Sequence, residues 1–318
     1  LRVTVITQGT SKVLESILES EHEVVGIIES SPVYELNSFL RAAGKFLTSI
    51  YYSFTLSPLN LRLFSKKMQI PYYFFRKRDN EGLEKWVKSL EPDLIVVYSM
   101  SHLLTENIFS IPKFGTVNLH YSYLPEYRGP TPVFWEYYDY VLNPGVTIHY
   151  LDKGEDTGDI IYQKRIHIKS GEKFENVNQK LSFIGAKLIS KLMKDLERRN
   201  ISRIKQSISS PTIRARKIKP EEYSGLIKWD EWDVERVFHF LSGTSKYHST
   251  LLNKNRLHRL LFQVKILDRE KCDTSGYKIG KLYKENSKKF FVCKDGKIYV
   301  DFKLSTANFF AWFYPYIS

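Results

Sequence analysis

The sequence predicts an α/β fold: a Rossmann-like, mainly parallel sheet domain followed by a small β-barrel-like, OB-like C-terminal domain. Three observations predict it. Strand-like and helix-like runs alternate through the first half of the chain. Residues 93–98 (DLIVVY) are apolar almost without interruption, as in a strand covered on both faces. Beyond residue 221 the pattern turns to short strands separated by turn signals. Length agrees, since 318 residues suggest two domains.

Residues 2–7 (RVTVIT) form a short β-rich run. Residues 11–19 then place Val13, Leu14, Ile17 and Leu18 at helical spacing. Residues 23–28 (EVVGII) give a second strand and 71–75 a third. Between them lies an insertion, 30–69, rich in Phe, Leu and Tyr and poor in acids. A structureless loop of that length is unfavoured, so one or two helices packing on the sheet are expected. Residues 81–90 are helical, with Leu83, Val87 and Leu90 on one face. Residues 115–120 (GTVNLH), 145–151 (GVTIHYL) and 160–168 (IIYQKRIHI) supply further strands. Residues 174–200 read as one long helix on Val177, Leu181, Ile184, Leu188 and Leu192. A polar, basic stretch follows and contains a linker at 206–220, which divides a domain of 1–205 from one of 221–318. In the second domain 234–241 is helical, and strands are expected near 262–267, 279–283, 290–293 and 297–302. Asp295-Gly296 reads as a hairpin turn.

Composition is that of an ordinary globular protein, with 42% hydrophobic and 26% charged residues. The 48 Lys+Arg against 35 Asp+Glu give a net charge of +13. Residues 201–318 hold 23 of these cations and 12 of the acids, so the basic character belongs to the last third. That asymmetry points to a polyanionic partner or to a Lys-rich solvated surface. Cys272 and Cys293 are the only cysteines, which excludes a disulfide framework and a Cys-based zinc site. No metal is expected. The chain opens on a strand-like run without a signal-peptide pattern, so a cytoplasmic protein is expected. The most membrane-like stretch, 38–56, is broken by Arg41 and Lys45, so stable membrane insertion is not expected. A homodimer stays open.

The first βα turn reads Gln8-Gly9-Thr10-Ser11, and neither GxGxxG nor a P-loop is present. The dense segment is 117–163. Asn118 and His120 stand two residues apart at the end of a predicted strand, where period-2 geometry turns both to one face. Ser122-Tyr123-Leu124-Pro125 and Tyr127-Arg128-Gly129-Pro130 follow, a turn-rich loop where α/β proteins place active sites. Asp156-Thr157-Gly158-Asp159 joins two further strands and can return a carboxylate to the same edge. An Asn–His–Asp trio suits acyl transfer to an amine. His takes the proton the amine loses, Asn donates to the oxyanion, and Asp fixes the His tautomer and stabilises its cation. Spacing alone leaves a structural alternative open. In it Asn118 caps the strand, His120 is a satisfied buried histidine and Asp156-Thr157-Gly158 is a turn.

NLHYSYLPEYRGPTP followed by GVTIHYLDKGEDTGDII resembles the formyltransferase family that uses 10-formyltetrahydrofolate. The family pattern is Asn-x-His ahead of a Ser-x-Leu-Pro loop, an Arg-Gly, and later Asp-x-Gly before a strand. The resemblance is sharp over 90–170, loose over 1–90 and weaker at the C-terminus, where the small barrel fits an appended domain. It implies that Asn118 polarises the formyl group, that His120 is the general base or proton shuttle, and that Asp156 orients His120. It places the folate between a wall of Tyr98, Ser99, Met100, Leu103 and Leu104 and a second wall of Asp152, Lys153, Gly154 and Glu155, acting through backbone groups. Ser122, Tyr123, Arg128, Gly129 and Trp135 are the implied acceptor side. Arg128 would meet an acceptor phosphate or, alternatively, brace its loop. Trp135 would line the acceptor cleft, while His149, His167 and the tyrosines at 137, 138 and 140 are expected to pack.

The fold does not choose the acceptor. PTPVFW after Arg128-Gly129, GEDTGDIIYQ, and the run from RARKIKPEEY to VERVFHF resemble members acting on nucleotide-activated amino sugars in surface-polysaccharide (lipopolysaccharide) synthesis. The basic last third favours methionyl-tRNA instead. Glycinamide ribonucleotide ranks third. A formyltetrahydrofolate hydrolase and a non-catalytic nucleic-acid binder are the readings outside this class.

Overall fold

The computed structural model describes residues 1–30, 61–76, 79–100, 102–251 and 262–304. Of the expected insertion, 31–60 lies outside the described residues, as does the membrane-like stretch 38–56. The chain divides into two compact units. One comprises Leu1–Pro132, Pro144–Ile166 and Gln179–Ala215; the other comprises Val133–Asn143, His167–Asn178 and Arg216–Ser318. Residues 206–215, expected as linker, therefore belong to the first unit. Polar composition without periodicity suits a linker and an irregular strap equally.

The first unit is built on seven strands. They are β1 (Arg2–Thr7), β2 (Glu23–Ser30), β3 (Tyr72–Phe75), β4 (Leu94–Val97), β5 (Thr116–His120), β6 (Gly145–Tyr150) and β7 (Ile160–Arg165). Their order is β3-β2-β1-β4-β5-β6-β7. The first five are parallel, whereas β6 runs antiparallel to β5, and β7 to β6. β4 (LIVV) is buried at every residue, as its unbroken apolar run predicts. The chain winds outward from β1 to β3 and then restarts at β4 beside β1. The order switches between β1 and β4, the place where open α/β sheets bind ligands at the strands' carboxyl ends. There Ser99 Oγ donates to Gln8 Oε1 at 3.2 Å.

Helices α1 (Lys12–Leu18), α2 (Leu61–Lys67), α3 (Asn80–Leu90), α4 (Glu106–Phe109), α5 (Pro132–Tyr138) and α6 (Phe174–Glu197) follow in chain order. Ser11 caps α1 by accepting the Leu14 N–H at 3.2 Å. Apolar residues of α3 and α4 join Ile6, Ile28, Phe75, Ile95 and Val97 in one buried core. Gly185 lets α6 lie on β5: a Cβ there would stand 2.7 Å from Leu119 Cδ2. Leu119 thus faces α6, which turns Asn118 and His120 to the opposite face of β5.

The second unit holds α7 (Tyr223–Leu226), α8 (Val234–Gly243) and four strands. These are β8 (Phe262–Lys271), β9 (Leu282–Glu285), β10 (Lys288–Cys293) and β11 (Gly296–Leu304), an antiparallel sheet in the order β8-β11-β10-β9. Phe134, Tyr223 and Phe240 pack ring to ring in this unit. The β10–β11 hairpin forms where expected, but Gly296 pairs with Cys293, so its loop residues are Lys294 and Asp295. Gly296 is required by close approach instead: a Cβ would meet the Glu270 carbonyl oxygen at 2.3 Å. A second tight turn escaped the sequence reading. Asn286 and Ser287, at φ 44° and 65°, join β9 to β10.

Candidate active site

The end of β5 carries the site. Asn118 is paired directly with His149 of antiparallel β6, so their side chains share one face. The chain then leaves β6, and the loop to β7 brings Asp156 to the same place. Asn118 Nδ2 donates to Asp156 Oδ1 at 3.3 Å and meets His149 Nε2 at 3.1 Å. His120 Nδ1 stands 3.6 Å from Asp156 Oδ2, and His149 Nε2 stands 3.5 Å from Oδ1. The Gly129 N–H donates to Asp156 Oδ2 at 2.8 Å. Four groups thus converge on one carboxylate, which sits on backbone at φ 55°.

Carbonyl partners assign the protons. The Tyr127 carbonyl can only accept, so His120 Nε2, 3.1 Å away, carries a hydrogen and Nδ1 is the basic nitrogen facing Asp156. The Tyr150 carbonyl likewise takes the His149 Nδ1–H at 2.8 Å, which leaves Nε2 to accept from Asn118. The Tyr127 carbonyl thus bonds one ring nitrogen of His120, and the Asp156 carboxylate faces the other. Burial pushes the His120 imidazole below its usual value, against the pull of the Asp156 carboxylate. Burial alone would raise the Asp156 carboxyl. The positive charge that His120 and His149 carry when protonated, together with the Gly129 N–H, outweighs it and holds the carboxyl well below the usual range. The resting pair is a neutral imidazole beside an ionised carboxylate.

The residues expected as folate walls fall in two places. Tyr98, Ser99 and Met100 directly follow β4 at the switch point. The Tyr98 and Tyr121 hydroxyls are bonded at 2.9 Å, and burial raises both phenols, so they stay protonated. Leu103 is 69% exposed, whereas Leu104 is 7% exposed and joins the core. In the loop after β6, Asp152 Oδ1 accepts the Gly154 N–H at 3.0 Å and the Thr157 hydroxyl at 2.6 Å. Lys153 pairs with Glu106 at 2.9 Å, and Arg214 grips both oxygens of Glu155.

The residues expected on the acceptor side are engaged with neighbouring protein groups. Ser122 is fully buried and donates to the Glu126 carbonyl at 2.6 Å. The Tyr123 ring lies under the Arg165 guanidinium at 4.1 Å. Arg128, expected at a phosphate, is buried. Its Nη1 donates to the Ile208 carbonyl at 3.1 Å, and its Nη2 to Gln206 Oε1 and the Ser207 carbonyl at 2.8 Å each. Gly129 sits at φ 121°, where a Cβ would stand 2.9 Å from the Ala215 carbonyl oxygen. Trp135 belongs to the second unit; it is buried and donates to the Arg216 carbonyl at 2.8 Å. His149, expected to pack, instead stands against Asn118 and Asp156, which the sequence reading did not anticipate.

A family model described as formyl transferase matches residues 58–193. A methionyl-tRNA formyltransferase of Azobacteroides pseudotrichonymphae is 31% identical over 220 residues, covering 69% of this chain and 68% of that protein. The chain belongs to the formyl transferase family. This formyltransferase is also 29% identical to a methionyl-tRNA formyltransferase of Staphylococcus epidermidis over 272 residues, 84% of this chain and 81% of that one. Two solved structures share its fold at 16% identity and a TM-score of 0.63, each covering 95% of this chain. One is a sugar 3N-formyl transferase in the presence of dTDP and 5-N-formyl-THF, covered over 97% of its length. The other is an N-formyltransferase of Helicobacter canadensis in complex with folinic acid and dTDP-3-aminofucose, covered over 100%. Among the described residues no helix is long and apolar enough to cross a membrane.

Proposed function

We propose that this formyltransferase moves a formyl group from 10-formyltetrahydrofolate to the amine of a nucleotide-activated amino sugar. The observation that carries formyl transfer is the convergence of Asn118, His120, His149 and the Gly129 N–H on Asp156. The co-substrate fits what the chain offers. Leu103, in the segment after β4, is exposed, an apolar surface that suits a flat ring. In the 152–157 turn the side chains of Asp152, Lys153 and Glu155 are engaged, which leaves backbone groups to meet a ligand. Bound there, 10-formyltetrahydrofolate supplies the formyl carbon that the amine attacks.

The chain's own groups do the rest. His120 Nδ1 accepts the proton the amine loses, the Asp156 carboxylate 3.6 Å away stabilises the imidazolium, and the same proton passes to the tetrahydrofolate nitrogen as its bond to the formyl carbon breaks. Asp156 stays ionised throughout. The Asn118 amide turns one N–H from Asp156, at 3.3 Å the longer of its two contacts, to the formyl oxygen as charge develops. His149 holds the other amide proton and so fixes the plane of the carboxamide.

The acceptor reading is supported by the whole-chain fold likeness to the two sugar enzymes. A methionyl-tRNA acceptor is the second reading, favoured by the sequence relatives and by the basic last third. Formyl-transfer assays with dTDP-3-aminofucose and with methionyl-tRNA decide between them. The salt dependence of RNA binding is a second discriminator, since a steep loss with salt marks phosphate contacts. His120→Ala and Asp156→Asn should each cost at least ~100-fold in rate. Wild-type-like rates in both variants overturn the mechanism.

A further inference from the structure

Gln206 lies in the strap that follows the long helix, and its side chain is half-buried between two loops of the site. Its Nε2 donates to the carbonyl of Asp156 at 3.0 Å and to that of Gly158 at 2.7 Å. Its Oε1 accepts from Arg128 Nη2 at 2.8 Å. The peptide after Arg128 supplies the Gly129 N–H that holds Asp156 Oδ2 at 2.8 Å. These contacts close a ring. It runs from the Gln206 amide to the Asp156 backbone, from the Asp156 carboxylate to Gly129, through the peptide to Arg128, and back to Gln206.

The ring encloses the one residue whose placement the proposed chemistry needs most. Asp156 has φ 55°, a left-handed conformation that a residue with a side chain holds when its surroundings enforce it. Gln206 grips the carbonyls of Asp156 and Gly158, so it holds the loop at the residue concerned and again two residues on. A carboxamide suits this task by its chemistry. It offers two donor protons to two carbonyls and one oxygen to a guanidinium. A carboxylate of the same length would turn an acceptor towards those carbonyls, and an ammonium would turn a cation towards Arg128.

We propose that Gln206 is a positioning residue for Asp156: it locks the Asp156 loop to the Arg128–Gly129 turn and so keeps the carboxylate against His120 and Asn118. This rests on the reading of Asp156 as the carboxylate of the reaction. Gln206 touches neither substrate; it acts through Asp156.

Gln206→Glu is the discriminating variant, because it keeps the Arg128 contact and loses both donations to the loop. In formyl transfer from 10-formyltetrahydrofolate, assayed on dTDP-3-aminofucose and on methionyl-tRNA in parallel, kcat should fall by about 10- to 100-fold, the scale of an ångström-sized misplacement. KM for each substrate should stay within about 3-fold. In an Asp156→Asn background the same substitution should cost less than about 3-fold, since the group it positions is already gone. A loss undiminished in that background overturns the proposal, as does a Gln206→Glu enzyme with wild-type kcat. Asp156→Asn assayed alone separates the two readings: a wild-type rate there removes the reading of Asp156 and this proposal with it. The imidazole titration of His120, followed by NMR without any acceptor, is the second measurement. The groups facing His120 are Asp156, His149 and Glu155. With Asp156 displaced, the His120 titration should move to lower pH, in Gln206→Glu and in Gln206→Ala alike. An unmoved titration in both variants refutes the positioning role.

Discussion

Gly158 tests whether the Asp-x-Gly spacing is a steric requirement. A Cβ at Gly158 would stand 1.9 Å from the Tyr150 carbonyl oxygen and 2.8 Å from its carbon. Ordinary contact begins at 3.4 Å, so the loop or β6 must yield by about 1.5 Å. Neither side can yield alone. The Tyr150 carbonyl holds the His149 Nδ1–H at 2.8 Å, and the Gly158 carbonyl holds Gln206 at 2.7 Å. A shift at either therefore reaches the groups around Asp156. Overpacking of this kind costs about 1–3 kcal/mol, and each kcal/mol lowers the melting temperature by roughly 2–4 °C for a domain of 150–250 residues. Displacing reacting groups by about 1 Å costs on the order of 100-fold. Gly158→Ala should therefore melt several degrees lower yet remain folded, with kcat reduced about 100-fold. Gly225→Ala is the control: a Cβ there meets nothing within 4 Å, so its kcat and melting temperature should stay near wild type. The two variants are compared by steady-state kinetics and thermal melts. Equal, near-wild-type behaviour in both would refute the steric reasoning.

Burial holds His120 below its usual value, so Nδ1 remains a free base below the ordinary imidazole range near 6.5. The acid limb of kcat/KM should accordingly fall only below about pH 6.5, and a limb centred above pH 7 would contradict that placement. Arg128→Lys breaks the fork that holds Gln206 and the carbonyls of Ser207 and Ile208, and should destabilise by about 1–3 kcal/mol with acceptor KM within about 3-fold. A native melting temperature with a raised acceptor KM would restore the phosphate role for Arg128. Burial pushes His239 down to about 4, and its neutral Nδ1 accepts the Gly171 N–H at 3.0 Å. The unfolded ring titrates near 6.5, so this contribution is full above that value and is lost as pH falls through about 4. Denaturant unfolding of the wild type should show about 2 kcal/mol less stability at pH 5 than at pH 7 from this residue. A His239→Phe variant with the same pH 7 to pH 5 difference would show the assignment to be mistaken.

Much of the fold is legible because buried strands announce themselves. The LIVV of β4 and the VVGII within β2 leave no alternative face for water. Asn118 and His120 are legible as a pair because strand geometry repeats every two residues. His149 is not, since a lone histidine in GVTIHY reads as packing until its partner strand is known. A signal did exist. About nine residues separate β6 from β7, fewer than the dozen or so a parallel crossover needs. That makes β6–β7 antiparallel and breaks the parallel pattern at the edge where Asp156 lies. The remaining step, that β6 pairs with β5 in the register Asn118 to His149, is a long-range fact that local patterning does not carry.

The strap at 201–215 shows a limit of a different kind. It reads as linker because it is polar, contains Pro211 and lacks periodicity. Those are also the properties of backbone that crosses a protein without a strand ladder, where side chains must satisfy peptide groups. Gln206 serves Asp156 and Gly158, Ser210 donates to the Pro125 carbonyl at 2.7 Å, and Thr212 Oγ1 accepts the Tyr127 N–H at 2.6 Å. The same segment carries Arg203, Lys205 and Arg214 and no acid, so it inflates the basic surplus of the last third. Arg214 is bound to Glu155, and Arg203 lies 3.9 Å over the Tyr150 ring. Part of the charge that points to a polyanion is thus committed to building the loops around Asp156. Within the last third, an RNA reading rests on Lys205 and the cations beyond residue 215.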